Sequence, residues 1–449
     1  MTRVFNQING ILWGAPALLL ILTVGLFLSL RLHFVQLRLL PRALGQLGRS
    51  LRRKDGRSEF QALCTALAAT VGTGNLAGVA GAICLGGPGA VFWMWLCGIL
   101  GMVTKYAEAV LAVRYRVKTE AGYKGGPMYV MELGLGSRWK PMAMAYCLFG
   151  LLASFGIGNG VQIRTVLSGI NMVQSRFGMA VSRQGNLLLG VLLAILIGRL
   201  LLGGARRIGE AAQLLVPIAA AGYILLCLGV LILRAEAIPR AFASILQGAF
   251  SPRAVTGGIL GSSFQALRIG CSRGVFTNEA GMGTAAIAHG SAEVSHPAQQ
   301  GLMGIVEVFL DTIVICTLTA LVILTSGAPV PYGSEAGVEL TTWAFSQIYG
   351  SFASVFLALA LCLFAVATVL GWGLYGARCA CYFFGRDVWK AYALAQTAMV
   401  VVASTMDAAS LWQFSEMLNG LMVIPNLITL AALSSEVVRL TKDYEKTGS

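Results

Sequence analysis

Windows of about 20 apolar residues recur from one end of the 449-residue chain to the other, and that is the length a helix needs to cross a hydrocarbon core. Non-helical backbone is tolerated at such depth only where it is buried in protein or lines a cavity. The expected fold is therefore an all-α membrane protein with about 11 transmembrane helices. Apolar residues make up 57% of the chain and charged residues 12%, proportions that exclude an ordinary soluble enzyme. The windows leave no segment over for a separate soluble domain.

The formal charge of +14 would suggest nucleic acid in a soluble protein, but here Lys and Arg sit mostly in short loops between apolar spans. That pattern sets membrane topology and adds an affinity for anionic lipid. With no basic stripe interleaved with aromatics on a soluble surface, no nucleic-acid role is expected. Most of the ten cysteines (Cys64, Cys84, Cys97, Cys147, Cys227, Cys316 and Cys362 among them) fall inside spans, where a thiol behaves as a small hydrophobe. Cys379 and Cys381 form a C-x-C, but three His in the chain supply no cluster to join them as metal ligands. The first apolar run, Ile11 to Leu30, lacks a strong basic leader and a small-residue cleavage site, so it reads as a retained span.

Windows and breakers place candidate spans near 10–31, 60–86, 89–113, 141–172, 185–204, 208–234, 256–289, 300–326, 339–377, 387–404 and 409–436. The loop after the first carries Arg38, Arg42, Arg49, Arg52, Arg53, Lys54 and Arg57. Alternate loops carry Arg114, Arg116, Lys118 and Lys124, then Arg206 and Arg207. The opposite loops, around Ser326 to Gly337 and Thr405 to Ala408, have no basic residue. The rule of basic cytoplasmic loops then puts the N-terminus outside and the C-terminus in the cytoplasm, in the cell (inner) membrane. One loop departs from it, since His289 to Gln300 lies on the cytoplasmic side without Lys or Arg.

With the first span set aside as part of an N-terminal unit (1–58), ten remain: five in 59–235 and five in 236–440, followed by a tail at 441–449. Five is odd, so the second half enters from the opposite side and the halves are inverted repeats. Each half opens with an interrupted span. The first holds Val71-Gly72-Thr73-Gly74-Asn75 with Gly78 and Gly81; the second holds Gly270, Gly274 and Thr277-Asn278-Glu279-Ala280-Gly281-Met282-Gly283. Paired glycine-interrupted spans at corresponding positions of two halves point to a transporter binding site near the bilayer midplane.

Unwinding at Gly72 and Gly74 would free amides on the following half-helix for a carboxylate, making Thr73 and Gly74 the carboxylate candidates. Freed carbonyls at Ala68 and Val71 would suit a dehydrated alkali cation, and Asn75 is a further candidate cation ligand. Helix packing is the competing reading of these glycines. Asn278 offers both donor and acceptor to a zwitterion or cation. Glu279 has two readings, as a ligand or as an ion-pair partner of Arg273 or Arg268. Gln162, Arg164 and Asn159 mark the fourth span with polar groups, and Phe155 could wall a small pocket. Thr368 and Trp372 lie about one turn apart and share a face. Lys105 and Glu108, three apart, are expected to pair or snorkel. Asp311 and Glu307 could support proton coupling, or Asp311 could be structural. Nothing resembles a nucleophile-base set, so no enzyme activity is expected.

Five stretches carry a family resemblance: Ala66 to Gly78 (ALAATVGTGNLAG), Gly86 to Glu108 (GGPGAVFWMWLCGILGMVTKYAE), Gly125 to Tyr129 (GGPMY), Gly274 to His289 (GVFTNEAGMGTAAIAH) and Asp311 to Cys316 (DTIVIC). Over residues 6–439 the chain resembles the alanine or glycine:cation symporter family. The resemblance implies a LeuT-like core of five plus five inverted-repeat spans, an extra N-terminal span, two discontinuous helices and sodium-coupled uptake of alanine or glycine. Sodium would be held by the carbonyls of Ala68, Val71 and Phe364 and the Thr368 hydroxyl. The Thr73 and Gly74 amides would hold the substrate carboxylate, with Thr277, Asn278, Gln162, Phe155 and Trp372 completing the pocket. The chain departs from the family pattern at Ala367, where a hydroxyl residue is usual, at Ala377, where Glu is common, and at Arg164, where a small polar residue is usual.

The functional expectation is a secondary active transporter, importing alanine or glycine with sodium by alternating access. No cofactor beyond the coupling ion is expected, and no obligate protein partner; the partners are substrate, sodium and membrane lipid. The alternatives are a proton-coupled symporter of small neutral amino acids and an amino-acid-binding membrane sensor. A passive channel fits less well, because two broken spans flanking a midplane site suit an occluded site.

Overall fold

The computed structural model describes residues 7–10, 12–13, 15–52, 57–120, 122–251, 263–334, 337–406 and 408–447. Arg53 and Lys54 of the basic loop, and the 256–262 start of the seventh expected span, lie outside them. The chain is helical almost throughout. Helix α1 (Ala15–Arg31) leads through a connection with one helical turn, Val35–Arg38, to α2 (Leu40–Arg52). Next come α3 (Arg57–Thr70), a π turn at Gly74–Gly78, α4 (Val79–Gly86) and the long α5 (Gly89–Arg114). A short antiparallel hairpin, β1 (Val117–Thr119) with β2 (Gly122–Lys124), follows α5. The first half continues with α6 (Lys140–Phe155), a π turn at Gly156–Gly160, α7 (Val161–Arg176), α8 (Arg183–Leu202) and α9 (Gly204–Leu233).

The second half begins with α10 (Ile238–Phe250), α11 (Ser263–Asn278) and α12 (Thr284–His289). Then come α13 (Pro297–Val308), a π segment at Phe309–Cys316, α14 (Thr317–Thr325) and α15 (Val338–Tyr349). It closes with α16 (Phe352–Phe384), α17 (Val388–Ala403), α18 (Ala408–Ala432) and α19 (Ser434–Thr447). Among the described residues, seven helical stretches are long and apolar enough to cross a membrane, eight when the bent pair around Gly72 is one span. The chain is thus a multi-pass helical membrane protein.

Three expectations about the elements are corrected. The 339–377 window is two helices, α15 and α16, separated at Gly350 and Ser351, and α16 runs on to Phe384. The 409–436 window ends at Ala432, and α19 takes up most of what reads as a tail. The basic loop after α1 contains the helix α2, which a search for apolar windows misses because its apolar residues are too few.

Burial separates scaffold from periphery. The most apolar window of α5 is 83% buried and that of α16 is 72%, against 28% for α8 and 33% for α9. The latter two turn Leu188, Leu192, Leu225 and Ile232 outward, as helices facing lipid do. Helix α5 packs on α11 and α13, and α16 on α6, α7 and α9, so the two broken spans are enclosed by the most buried helices.

Candidate functional site

The first broken span bends by 50° between Ser58–Thr70 and Gly74–Gly86. Helical pairing ends with the Val71 amide donating to the Leu67 carbonyl at 2.7 Å. The Gly72 amide, left without a helical acceptor, donates to Asn75 Oδ1 at 2.8 Å, so the side chain of Asn75 caps the break. Close approach explains the glycines here. A Cβ on Gly72 would lie 2.8 Å from Thr368 Oγ1, and one on Gly74 would lie 3.1 Å from Thr277 Cγ2. At Gly72 the chain both unwinds and packs tightly against Thr368.

The second broken span parts between α11 and α12, where Glu279, Gly281 and Gly283 have φ of 54°, 90° and 76°. Two of these three left-handed positions carry glycine, which adopts them without the Cβ penalty; Glu279 bears that strain itself, as functional breaks often require. Glu108 of α5 reaches into the break, its Oε1 accepting from the amides of Gly281 (3.0 Å) and Gly283 (3.1 Å) and from Asn426 Nδ2 (2.7 Å). The expected pairing of Lys105 with Glu108 therefore does not form. Lys105 instead meets Glu307 at 3.1 Å, both fully buried, and Glu307 also meets His289 Nε2 at 2.8 Å. Glu108 is occupied by the freed amides, whereas Glu307 faces Lys105 from the adjoining α13.

Between the breaks lies a constricted cavity of about 10 Å³, room for about one water molecule. Its floor is the first break, with Ala69, Thr70, Gly72, Thr73 and Gly74. Gln162 and Ile157 come from the fourth span, Phe276 and Glu279 from the second broken span, and Thr368 and Trp372 from α16. The Thr73 hydroxyl donates to Gln162 Oε1 at 3.1 Å, and Trp372 Nε1 donates to Glu279 Oε1 at 2.8 Å. Thr368 Oγ1 donates back to the Phe364 carbonyl at 2.9 Å, so those two expected cation ligands are adjacent. Ala68 and Val71 flank the lining residues Ala69 and Thr70 and are buried.

Four expected site residues stand elsewhere. Phe155 ends α6 just before the π turn and packs on Tyr392, ring centroids 5.7 Å apart, with Ala377 and Ala380; the wider turn re-aims the helix, and Ile157 lines the cavity instead. Thr277 bonds back to the Gly274 carbonyl at 2.8 Å and touches the site only through its methyl group. Asn278 spends both ends of its amide, on Thr312 Oγ1 (3.0 Å) and the Ala280 amide (2.9 Å). Asn75 is likewise committed, donating to Asp311 Oδ1 at 2.7 Å. These amides hold the breaks and do not face the cavity.

Glu279 is no ion-pair partner of Arg273, which lies 3.7 Å from Glu416 and over the Trp412 ring. Its carboxylate edges the cavity, fixed by Trp372 and, at 2.6 Å, by the Thr284 hydroxyl. Phe276 and Ile157 gave no signal in the sequence, being apolar residues in apolar spans. The site as a whole sets the unwound backbone at Gly72–Gly74 with the Thr73 side chain on one side and the Glu279 carboxylate on the other, with apolar walls between.

The whole chain, residues 1–449, matches the sodium:alanine symporter family. It is 42% identical to the sodium/alanine symporter AgcS of Methanococcus maripaludis, across 98% of this chain and 96% of that protein. An uncharacterized transporter of Haemophilus influenzae is also 42% identical, across 98% of this chain and 95% of the relative. The probable sodium/glutamine symporter GlnT of Bacillus subtilis is 38% identical, across 98% and 89%. A full-length match of this kind, on a multi-pass helical chain with a cavity between two broken spans, means that the protein belongs to the sodium:alanine symporter family, whose work is sodium-coupled amino acid symport.

Proposed function

We propose that this chain imports alanine or glycine together with sodium by alternating access between two inverted five-helix repeats, 59–235 and 236–440, of a LeuT-like core. In this reading eleven spans cross the cell (inner) membrane, with the N-terminus outside and the C-terminus cytoplasmic. The substrate carboxylate sits on the Thr73 and Gly74 amides, and its ammonium group faces Glu279. Sodium sits among the carbonyls of Ala68, Val71 and Phe364 and the hydroxyl of Thr368.

The observation that carries the proposal is the apposition of Gly72 to Thr368, where even a Cβ would come within 2.8 Å of the hydroxyl. Unwound backbone whose carbonyls can turn from the helix toward a hydroxyl is the kind of site where a dehydrated alkali cation is held. The apolar side chains of Ile157, Phe276 and Trp372 crowd this space, which favours alanine or glycine over a side chain as long as glutamine. One sodium moving through about 100 mV gains about 2.3 kcal/mol, and a roughly tenfold gradient adds about 1.4. Together they support roughly 500-fold accumulation per coupled ion.

Proton coupling is the second reading, favoured by Glu279 at the cavity edge and by Ala367 in place of a hydroxyl. Uptake of labelled alanine and glycine into proteoliposomes separates the two. Accumulation that needs an inward sodium gradient and rises with an inside-negative potential supports the first. Accumulation that ignores sodium and follows a proton gradient overturns it in favour of the second.

A further inference from the structure

Helix α2 presents three different faces. Ala43, Gln46 and Ser50 are buried against α3 and α13. Leu44 and Leu51, with Leu37 just before the helix, are 38%, 60% and 50% exposed. Arg42, Arg49 and Arg52 form the third face, all exposed. The chain reaches this helix from the end of α1 through left-handed residues His33 and Phe34, φ 53° and 51°, and the single helical turn Val35–Arg38. An exposed leucine stripe beside an arginine stripe, close in sequence to the apolar helix α1, is the pattern of a helix that lies in the interface with leucines in the acyl boundary and guanidinium groups at headgroup level.

Among the described residues these arginines have no partner of opposite charge. Arg38 is taken by Glu445 at 2.6 Å, whereas among the described residues no carboxylate pairs with Arg42, Arg49 or Arg52. Arg42 lies over the Tyr444 ring at 5.9 Å, which leaves its guanidinium free to meet an anion. The buried face leads to the transport machinery. Gln46 Nε2 donates to Glu59 Oε2 (2.9 Å) and to the Gln299 carbonyl (3.1 Å), and the Ser50 hydroxyl donates to the same Glu59 oxygen at 3.2 Å. Glu59 lies in the first turn of α3, the half-helix that ends at the first break.

We infer that Arg42, Arg49 and Arg52 bind the headgroups of anionic phospholipid and that α2, through Gln46, Ser50 and Glu59, uses this anchorage to hold the inner half of the first broken span. The occupant is membrane phospholipid because the leucine stripe adjoining the arginines requires acyl chains, which a free phosphate does not supply. Each basic residue near an anionic surface contributes roughly fivefold, so three together favour anionic over zwitterionic lipid by about 100-fold.

The test uses the full chain, purified from mixed vesicles of phosphatidylglycerol and phosphatidylcholine, with co-purifying lipid measured by native mass spectrometry. Wild type should retain phosphatidylglycerol selectively, the R42Q/R49Q/R52Q variant should lose that selectivity, and R42K/R49K/R52K should keep it, which separates charge from folding. Equal retention of the two lipids by wild type, or unchanged selectivity in the glutamine variant, overturns the site. For the linkage, Gln46→Leu should keep the lipid but speed amide exchange in Arg57–Thr70; unchanged exchange overturns the linkage. Lipid retention is read without substrate or sodium, so its failure is distinct from a failure of the transport reading.

Discussion

Asn75 of the first broken span and Asn278 of the second are joined through two adjacent residues, Asp311 and Thr312. Asn75 Nδ2 donates to Asp311 Oδ1 at 2.7 Å, Thr312 Oγ1 donates to Asp311 Oδ2 at 2.8 Å, and Asn278 Nδ2 donates to Thr312 Oγ1 at 3.0 Å. The chain continues at each end into unwound backbone, at the Gly72 amide and the Ala280 amide. The two breaks are thus held in register by one buried hydrogen-bonded path, and Asp311 has a structural place in it. Thr312→Val cuts the path at its middle while keeping the side-chain volume. It leaves an Asn278 donor unsatisfied, so stability should fall by about 1–3 kcal/mol, measured by thermal unfolding in detergent, and sodium should become less effective in raising substrate affinity. Unchanged sodium–substrate coupling in a destabilised variant would show that the path serves folding alone.

Thr368→Ala tests the cation site. The hydroxyl faces the unwound Gly72 across a gap too small for a methyl group. Its loss should raise the sodium concentration for half-maximal uptake at least tenfold, about 1.4 kcal/mol, with little change in protein abundance. Sodium activation curves that superimpose on wild type would remove Thr368 from the site.

Gly74→Val fills the backbone approach to the substrate carboxylate. A Cβ alone would already lie 3.1 Å from Thr277 Cγ2 and 3.5 Å from the Phe276 ring, and the added methyl groups press further. Binding of alanine, followed by calorimetry or scintillation proximity, should be abolished. Retained binding would leave that glycine only a packing role.

Glu279→Gln keeps an oxygen acceptor for Trp372 and removes the negative charge at the cavity edge. If the carboxylate faces the substrate ammonium group, KM for alanine should rise by roughly ten- to a hundredfold, the worth of one hydrogen bond to a charged group, with sodium dependence intact. A proton-coupled protein behaves differently: the variant would lose uptake driven by a pH gradient. An unchanged KM together with unchanged ion dependence would exclude both roles.

Lys105→Met leaves Glu307 buried with only His289 beside it. Breaking a buried pair from one side costs about 3–5 kcal/mol, so the apparent melting temperature should drop sharply. Replacing both partners, Lys105→Met with Glu307→Leu, should recover much of the loss. A double variant no more stable than the single one would mean that His289 and Gln300, 2.7 Å apart, depend on the carboxylate as well.

The spans and their breaks were legible in the chain because both are local properties. An apolar window about 20 residues long specifies a spanning helix wherever it lies, and Gly72, Gly74, Gly281 and Gly283 mark places where the helix parts. Thr73, Gly74, Gln162, Thr368 and Trp372, which the fold brings around one cavity, stood out for the same reason, each lying at a break or on one face of its own helix. What only the tertiary structure decided is the partner of each buried polar group. Asn75 finds Asp311 across 236 residues of sequence and Glu108 finds Asn426 across 318. Lys105 turns from Glu108, three residues away, to Glu307. Helical periodicity states which way a side chain points and nothing about what stands opposite. A buried polar group is satisfied by whatever packing brings within about 3 Å, and that distance is set by how the helices assemble.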